Sequence, residues 1–400
     1  MYPMVSLFTG AGGLDLGLEK AGFETRACVE ILKCCHDTLE LNRFKKKSRY
    51  LFEIFNDIRE VDPKELLKSA KLREGEAVLL AGGPPCQSFS TAGKRGSIED
   101  PRGSLFIKYI ELVEAIKPRF FIMENVRGIL SAALKHRPLD RRGTEHPPLE
   151  PGEELGSLLK LVVLPAIKER LGYQLTYGLL NAANYGTPQV RERVIFIGSR
   201  DNELGPTNEF GELKIEVILP PTHAKNPKSG SGLKHWKTLG YALKGLEDPA
   251  PEYTPYSEAR CQTYKLVPEG GNWRYLRDNY GDEFVKEVMG GAYSSTGGRV
   301  GFWRRLSFSK PCPTLVASPV QKSTGLCHPS ELRPLSVKEY ARVQQFDDGY
   351  VFSGAVADKY LQIGNAVPVG FAEYIGRKLS DIINSNTHIA EERSTYCNVN

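Results

Sequence analysis

The sequence predicts an α/β fold: a parallel sheet with helices on both faces, followed by a smaller, irregular, mainly β domain. Two observations carry this. Between residues 4 and 200, short apolar runs alternate with stretches of helical spacing, and the runs are almost continuously apolar, as strands buried on both faces require. After Arg200 the alternation stops and glycine and proline become frequent.

The first unit is a strand over Val5 to Phe8, a glycine turn, and a helix over Leu14 to Ala21. Further strands are expected near Ala27 to Glu30, Ala77 to Ala81, Phe120 to Met123 and Val194 to Ile197, with helices over Ser104 to Ile116 and Leu158 to Leu171. Ligands of such a sheet gather beyond the carboxyl ends of its strands. The segment from His136 to Glu154 is rich in proline, arginine and glutamate and reads as an inserted surface loop. Residues 201–325 form the expected second domain, with short strands and few helical repeats. Helical spacing returns over 336–346 and over Phe371 to Leu379.

The chain has 400 residues, 40% apolar and 25% charged, with no low-complexity tract and no apolar stretch long enough to cross a bilayer. Met1-Tyr2-Pro3 leads directly into the glycine-rich segment without a secretory leader, so a cytoplasmic location is expected. The 8 cysteines, at 28, 34, 35, 86, 261, 312, 327 and 397, show no CxxC pairing, and the histidines are scattered; no structural zinc site is expected. The net charge of +5 points only weakly to nucleic acid. Basic residues concentrate at Lys45 to Lys47, Arg137 to Arg142, Arg191 to Arg200 and Arg299 to Lys310, and each run reads equally well as solvated surface.

Phe8-Thr9-Gly10-Ala11-Gly12-Gly13 lies between a strand and a helix, where glycines let the backbone turn tightly and approach a ligand. No Gly-Lys-Ser/Thr follows and the GxGxxG spacing is not met, which argues against a phosphate site. Glu30, ending the second strand, can accept both ribose hydroxyls, and Asp57 can accept from an adenine amine. Together they describe an adenosine-binding edge; taken singly, each is equally a helix cap or an exposed acid.

Gly82-Gly83-Pro84-Pro85-Cys86-Gln87-Ser88-Phe89-Ser90 puts a cysteine on a rigid, proline-bearing loop at a strand end, a context for a reactive thiolate. Phe120 to Val126 delivers Glu124 to the same end of the sheet. No histidine is close in sequence to either residue, which argues against a Cys-His hydrolase. Thiolate addition to carbon 6 of cytosine makes carbon 5 nucleophilic, and a carboxyl group at N3 and the 4-amino group recognises the base and stabilises the adduct. Cys86 and Glu124 match those two tasks. In Gln189-Val190-Arg191-Glu192-Arg193, alternation directs Arg191 and Arg193 the same way, to hold the base carbonyl or a phosphate if they face the cleft. An exposed basic edge is the other reading.

These segments, with Ile363-Gly364-Asn365-Ala366-Val367-Pro368, occur in an order that strongly resembles the DNA cytosine-5 methyltransferase family, especially its compact bacterial members. Pro84 departs from the phenylalanine often found there, though proline is also familiar. The resemblance implies an S-adenosylmethionine-dependent, Rossmann-like catalytic domain over 1–200, a target-recognition domain over 201–325, a hinge over 326–354 and a segment, 355–400, that returns to the first domain. It implies that S-adenosylmethionine, leaving as S-adenosylhomocysteine, is held by Phe8, Gly10, Gly13, Leu14, Glu30, Ile31, Asp57, Ile58, Pro84, Leu105 and Asn365. Cys86 would be the nucleophile, Glu124 would hold N3 and the amine, Arg193 the carbonyl oxygen, and Arg191 neighbouring groups or phosphate. No metal is expected.

Expected contacts to double-stranded DNA are Gln87, Ser90, Arg274, Arg299, Arg304 and Arg305, with Trp273, Phe302 and Trp303 between the arginines. Leu332-Arg333-Pro334-Leu335-Ser336 resembles the family's supporting segment. The expected enzyme is a monomer that modifies bacterial DNA alongside a restriction endonuclease of the same specificity. A cytosine-5 RNA methyltransferase on the same fold is the nearest alternative, and a non-catalytic DNA-binding relative would have lost Cys86, Glu124 or the arginine pair.

Overall fold

The computed structural model describes residues 1–43, 52–85, 103–135, 137, 141, 143–208, 213–294, 301–321 and 325–397. Cys86, Gln87, Ser90, Arg299 and the Lys45 to Lys47 run therefore lie outside the described residues.

The central sheet contains β1 (Tyr2–Leu7), β2 (Phe23–Val29), β3 (Glu53–Phe55), β4 (Leu79–Gly82), β5 (Phe120–Val126), β6 (Gln174–Asn181) and β8 (Glu192–Ser199); the short β7 (Gln189–Val190) stands outside it. Its order is β3-β2-β1-β4-β5-β8-β6. Strands β1 to β5 pair in parallel, as the sequence pattern predicts. β8 corrects that expectation by running antiparallel to both β5 and β6. Residues 182–191 join β6 to β8 through a single short helical turn, too little chain for a parallel crossover. This reversal places the start of β8 at the carboxyl end of β5, with Arg193 opposite Val126.

Helices α1 (Gly13–Lys20), α2 (Lys33–Arg43), α3 (Pro63–Ala70) and α4 (Gly103–Ile116) link the parallel strands. The helix expected over Leu158 to Leu171 is wound as two π-helical segments, Leu159–Val163 and Ala166–Leu171. Alternation along β5 divides the core: Phe121 and Met123 face a cluster with Tyr109, Ile110 and Val113 of α4, while Phe120 and Ile122 face one with Leu14 and Leu18 of α1. The inserted loop closes on itself, because Arg137 pairs with Glu153 at 2.6 Å and donates to Pro147 O at 2.6 Å.

The second region is more helical than its composition suggests. Its strands β9 (His223–Ala224), β10 (Lys234–His235) and β11 (Cys312–Pro313) have two residues each, whereas its helices are α5 (Ile215–Ile218), α6 (Leu239–Leu243), α7 (Glu258–Lys265) and α8 (Trp273–Met289). The expected mainly β character is thus corrected among the described residues. Gly281, at φ 86° and ψ 166°, breaks α8 into two segments, and only Trp273, Leu276, Val285 and Met289 of α8 are buried. The apolar period is interrupted where the helix bends, which hides it from a pattern reading.

The last helices are α9 (Val337–Val343), α10 (Val356–Asn365) and α11 (Val369–Cys397). Phe371, Ala372, Ile375 and Leu379 of α11 enter the cluster formed by α1 and β5, so the end of the chain packs into the core of its beginning. Among the described residues no helix is long and apolar enough to cross a membrane.

Candidate active site

The glycine turn after β1 is pinned from three directions. Thr9 N donates to Val29 O at 3.2 Å, Gly10 N donates to Glu30 Oε2 at 2.7 Å, and the Tyr350 hydroxyl donates to Ala11 O at 2.7 Å. Glu30 Oε1 accepts from Leu32 N at 2.8 Å, so one carboxylate fixes both the turn and the end of β2. Phe8 and Gly10 both adopt positive φ, 55° and 56°. A Cβ at Gly10 would meet no protein atom within 4 Å, whereas one at Gly13 would lie 2.6 Å from Val367 O. The first glycine therefore opens a backbone face, and the second admits the 366–368 segment against α1.

Around that face the expected donor-binding residues differ in exposure. Ile31 is 54% exposed, which leaves an apolar surface for a flat ring beside Glu30. Leu14 and Ile58 are buried in the core. Leu105 and Phe8 are half-buried against the cluster under the sheet, and Pro84 is buried. Asp57 is paired with Arg59, Oδ1 and Oδ2 each lying 2.9 Å from Nε; this partner holds its carboxyl below the usual range. Asn365 is exposed, although Gln362, Ile363, Gly364 and Ala366 around it are buried.

At the carboxyl end of β5, Arg193 Nε lies 2.7 Å from Glu124 Oε1, with the two side chains 12% and 13% exposed. Cross-strand register produces this pairing, since Glu124 faces Ile195 and Val126 faces Arg193. The loop leaving β4 abuts the same spot. A Cβ at Gly83 would come to 3.0 Å from Glu124 Oε2, and Asn125 Nδ2 donates to Pro84 O at 3.2 Å. Pro84 and Pro85 are thus held beside the carboxylate, and Cys86 follows them in sequence.

Arg191 does not share this exposure. It is 1% exposed, and its Nη1 donates to Leu315 O at 3.1 Å and its Nη2 to Gly364 O at 3.0 Å. The expectation that it reaches the cleft or a phosphate is corrected: Arg191 is the single residue between β7 and β8, and its guanidinium points into the interior. Burial, then the neighbouring Arg193, push its guanidinium well below the usual range, while Glu124 acts in the opposite sense. Sequence reading missed the carbonyls that hold it, Leu315 O and Gly364 O, and the buried Gln189 and Gln344 that bind the same two segments. The alternation linking Gln189 to Arg191 was the available signal.

In the second region Arg274 is exposed at the start of α8. Arg304 is half-buried, and burial lowers its guanidinium from its usual range. Arg305 instead spends its donors on Pro329 O at 2.9 Å and Val267 O at 3.1 Å. Trp273 and Phe302 belong to a small core with Tyr264 and Leu276, so their expected place among the DNA-contacting arginines is corrected to interior packing. Among the described residues no group of three histidine, cysteine or acidic side chains is placed to hold a metal ion.

The profile of the C-5 cytosine-specific DNA methylases matches residues 2–140 and 161–381. The chain is 38% identical to the Type II methyltransferase M.Sau96I of Staphylococcus aureus, over 96% of this chain and 76% of that protein. It is 37% identical to the Type II methyltransferase M.PspPI of Psychrobacter, over 96% of this chain and 80% of that protein. The crystal structure of an Escherichia coli prophage protein described as a DNA modification methyltransferase superposes with a TM-score of 0.61 at 23% identity, over 96% of this chain and all of that one, a likeness of fold. A match of that extent, together with the acid–arginine pair at the sheet's carboxyl edge, places this chain in the C-5 cytosine-specific DNA methylase family.

Proposed function

We propose that this methyltransferase modifies cytosine within a specific double-stranded sequence through a covalent Cys86 adduct, as the modification enzyme of a bacterial restriction-modification pair. The observation that carries the chemistry is the Glu124–Arg193 pair beside the Pro84 loop. The names of the relatives as Type II methyltransferases support the biological setting.

Cytosine ring atoms are out of reach within a base stack, so the target enters the site extruded. The Cys86 thiolate forms a bond to C6, and the ring electrons pass to C5 while Glu124 holds N3 and the 4-amino group. Arg193 donates to the carbonyl oxygen, and its Nε fixes Glu124. S-adenosylmethionine supplies an electrophilic methyl group, which C5 takes as the thioether leaves. Removal of the C5 proton by a base then expels Cys86 as thiolate and restores the aromatic ring.

The residues of the glycine turn fit that donor. Gly10 offers a backbone face on which a side chain would stand in open space, and Glu30 presents a carboxylate whose remaining lone pairs suit ribose hydroxyls. Ile31 offers the adjoining apolar surface, and Asp57 an acceptor for an amine. Arg274 and Arg304 remain candidates for phosphate or base contact.

Trapping tests the mechanism. DNA carrying 5-fluorocytosine, incubated with enzyme and methyl donor, should yield a stable adduct at Cys86, because fluorine cannot leave as the C5 proton does. An active enzyme that forms no such adduct, or a Cys86→Ala variant that still methylates, would overturn it. Base-resolution sequencing of methylated product identifies the sequence context.

A further inference from the structure

Four consecutive carbonyls close the last turn of α10, and two buried side chains address all of them. Gln344 Nε2 donates to Ile363 O at 2.7 Å and to Ala366 O at 3.0 Å. Arg191 Nη2 donates to Gly364 O at 3.0 Å and reaches Asn365 O at 3.5 Å. Gln189 ties the two together: its Nε2 donates to Gln344 Oε1 at 3.0 Å, and its Oε1 accepts from Leu315 N at 2.9 Å, next to the Leu315 carbonyl that Arg191 holds.

Carbonyls at a helix C-terminus lack intrahelical partners and carry partial negative charge, so a guanidinium is their natural counterpart. Burying that charge is unfavourable unless such acceptors surround it. Buried, and with both terminal nitrogens held by these carbonyls, Arg191 does not reach a base or phosphate. What it does control is the backbone on either side of Asn365, whose side chain is exposed beside the glycine turn; the adjacent Ala366 would lie 3.0 Å from a Cβ on Gly13.

We propose that Arg191 and Gln344 are positioning residues for the methyl donor: they clamp residues 363–366 so that Asn365 holds its place in the donor pocket. This rests on the reading of Asn365 as donor-facing. It separates the two arginines of one motif, Arg193 serving the target base and Arg191 the donor.

The test compares Arg191→Lys, Gln344→Leu and Asn365→Ala in the full chain, measuring S-adenosylmethionine binding by calorimetry, KM for each substrate, kcat, and thermal melting. A lysine offers one nitrogen where arginine holds the two carbonyls with two, and leucine removes the donor of Ala366 O and leaves Ile363 O only the 3.3 Å contact from Ala366 N. Donor affinity should weaken by about tenfold or more in both clamp variants, the scale expected for a lost buried hydrogen bond to a charged or carbonyl partner. KM for DNA should stay at its parent value.

If Asn365→Ala binds the donor normally, the donor-facing reading of this segment fails. If Asn365→Ala weakens binding while both clamp variants bind normally, the clamp itself is overturned. A rise in KM for DNA with donor affinity intact would also overturn it, since that is the signature of a target-binding arginine. Should Arg191→Lys not fold, Gln344→Leu decides alone, because it releases the same turn from the other side.

Discussion

Arg193 and Glu124 meet at 2.7 Å across the β5–β8 strand pair, and the antiparallel register of β8 brings them there. Had β8 followed the parallel pattern of its neighbours, its first residues would lie at the opposite edge of the sheet. The hairpin-like return of the chain is therefore what delivers an arginine to the carboxylate.

Glu124→Gln should fold normally and lose methyl transfer by roughly a hundred- to ten-thousandfold in kcat, the range for removing a positioned acid or base. Arg193→Lys keeps a positive charge but loses the fixed planar donor set, and should cost on the order of a hundredfold. Transfer of labelled methyl groups to DNA measures both. Near-parent kcat in Glu124→Gln would remove the carboxylate from the chemistry.

Glu30 unites the glycine turn with the end of β2 through Gly10 N and Leu32 N. Glu30→Ala frees both donors and removes the expected ribose acceptor. KM for S-adenosylmethionine should rise by about tenfold or more, while donor-free binding to DNA is unchanged. Glu30→Gln, which keeps one carbonyl acceptor, should fall between. A gel-shift assay run beside steady-state kinetics separates the two effects, and equal loss of DNA binding would count against a donor-specific role.

Two glycines predict different phenotypes, one in packing and one in donor binding. A Cβ at Gly364 would lie 2.4 Å from Val316 O, so Gly364→Ala must displace backbone and should destabilise the fold by about 1–3 kcal/mol. A Cβ at Gly10 meets nothing within 4 Å, and its φ of 56° imposes only about 1–2 kcal/mol of strain. Gly10→Ala should therefore lose no more than about 1–2 kcal/mol of stability and yet bind the donor poorly. Thermal melting with donor titration checks this, and normal donor affinity in Gly10→Ala would place the donor elsewhere.

The residues that carry these arguments were legible to different degrees. The strand-end positions of Glu30 and Glu124 follow from apolar runs that stop at an acid, a local signal that survives in one dimension. The glycine turn shows itself the same way. Arg191 was not legible: alternation puts it in phase with Arg193, but the irregular residue between β7 and β8 breaks the phase, and its partners Leu315 and Gly364 lie more than a hundred residues away. Arg305, Trp273 and Phe302 look like a nucleic-acid surface by composition. Only the fold reveals that carbonyls and a small core absorb them. Helix α8 escaped because Gly281 cuts its apolar period in two.

The supporting segment contains a buried charge pair whose pH dependence can be worked out. Arg333 Nη1 lies 2.7 Å from Glu339 Oε2 and Nη2 lies 2.9 Å from Oε1, each side chain 8% exposed, and Ser336 N also donates to Oε2 at 2.7 Å. Burial alone would raise the Glu339 carboxyl. The hydrogen bonds from Arg333 and His328 outweigh it and hold the group down to about 2. A depressed carboxyl stabilises the folded state above its unfolded value, near about 4.3, and that contribution disappears as pH falls through about 2. Glu339→Gln leaves Arg333 buried with the half-exposed Glu331 as its one acidic partner among the described residues, and should cost about 3 kcal/mol at neutral pH. Urea unfolding of parent and variant from about pH 7 down to about pH 3 should show the difference shrinking over the acid limb. A difference that does not change with pH would mean that the variant loses packing rather than a charge.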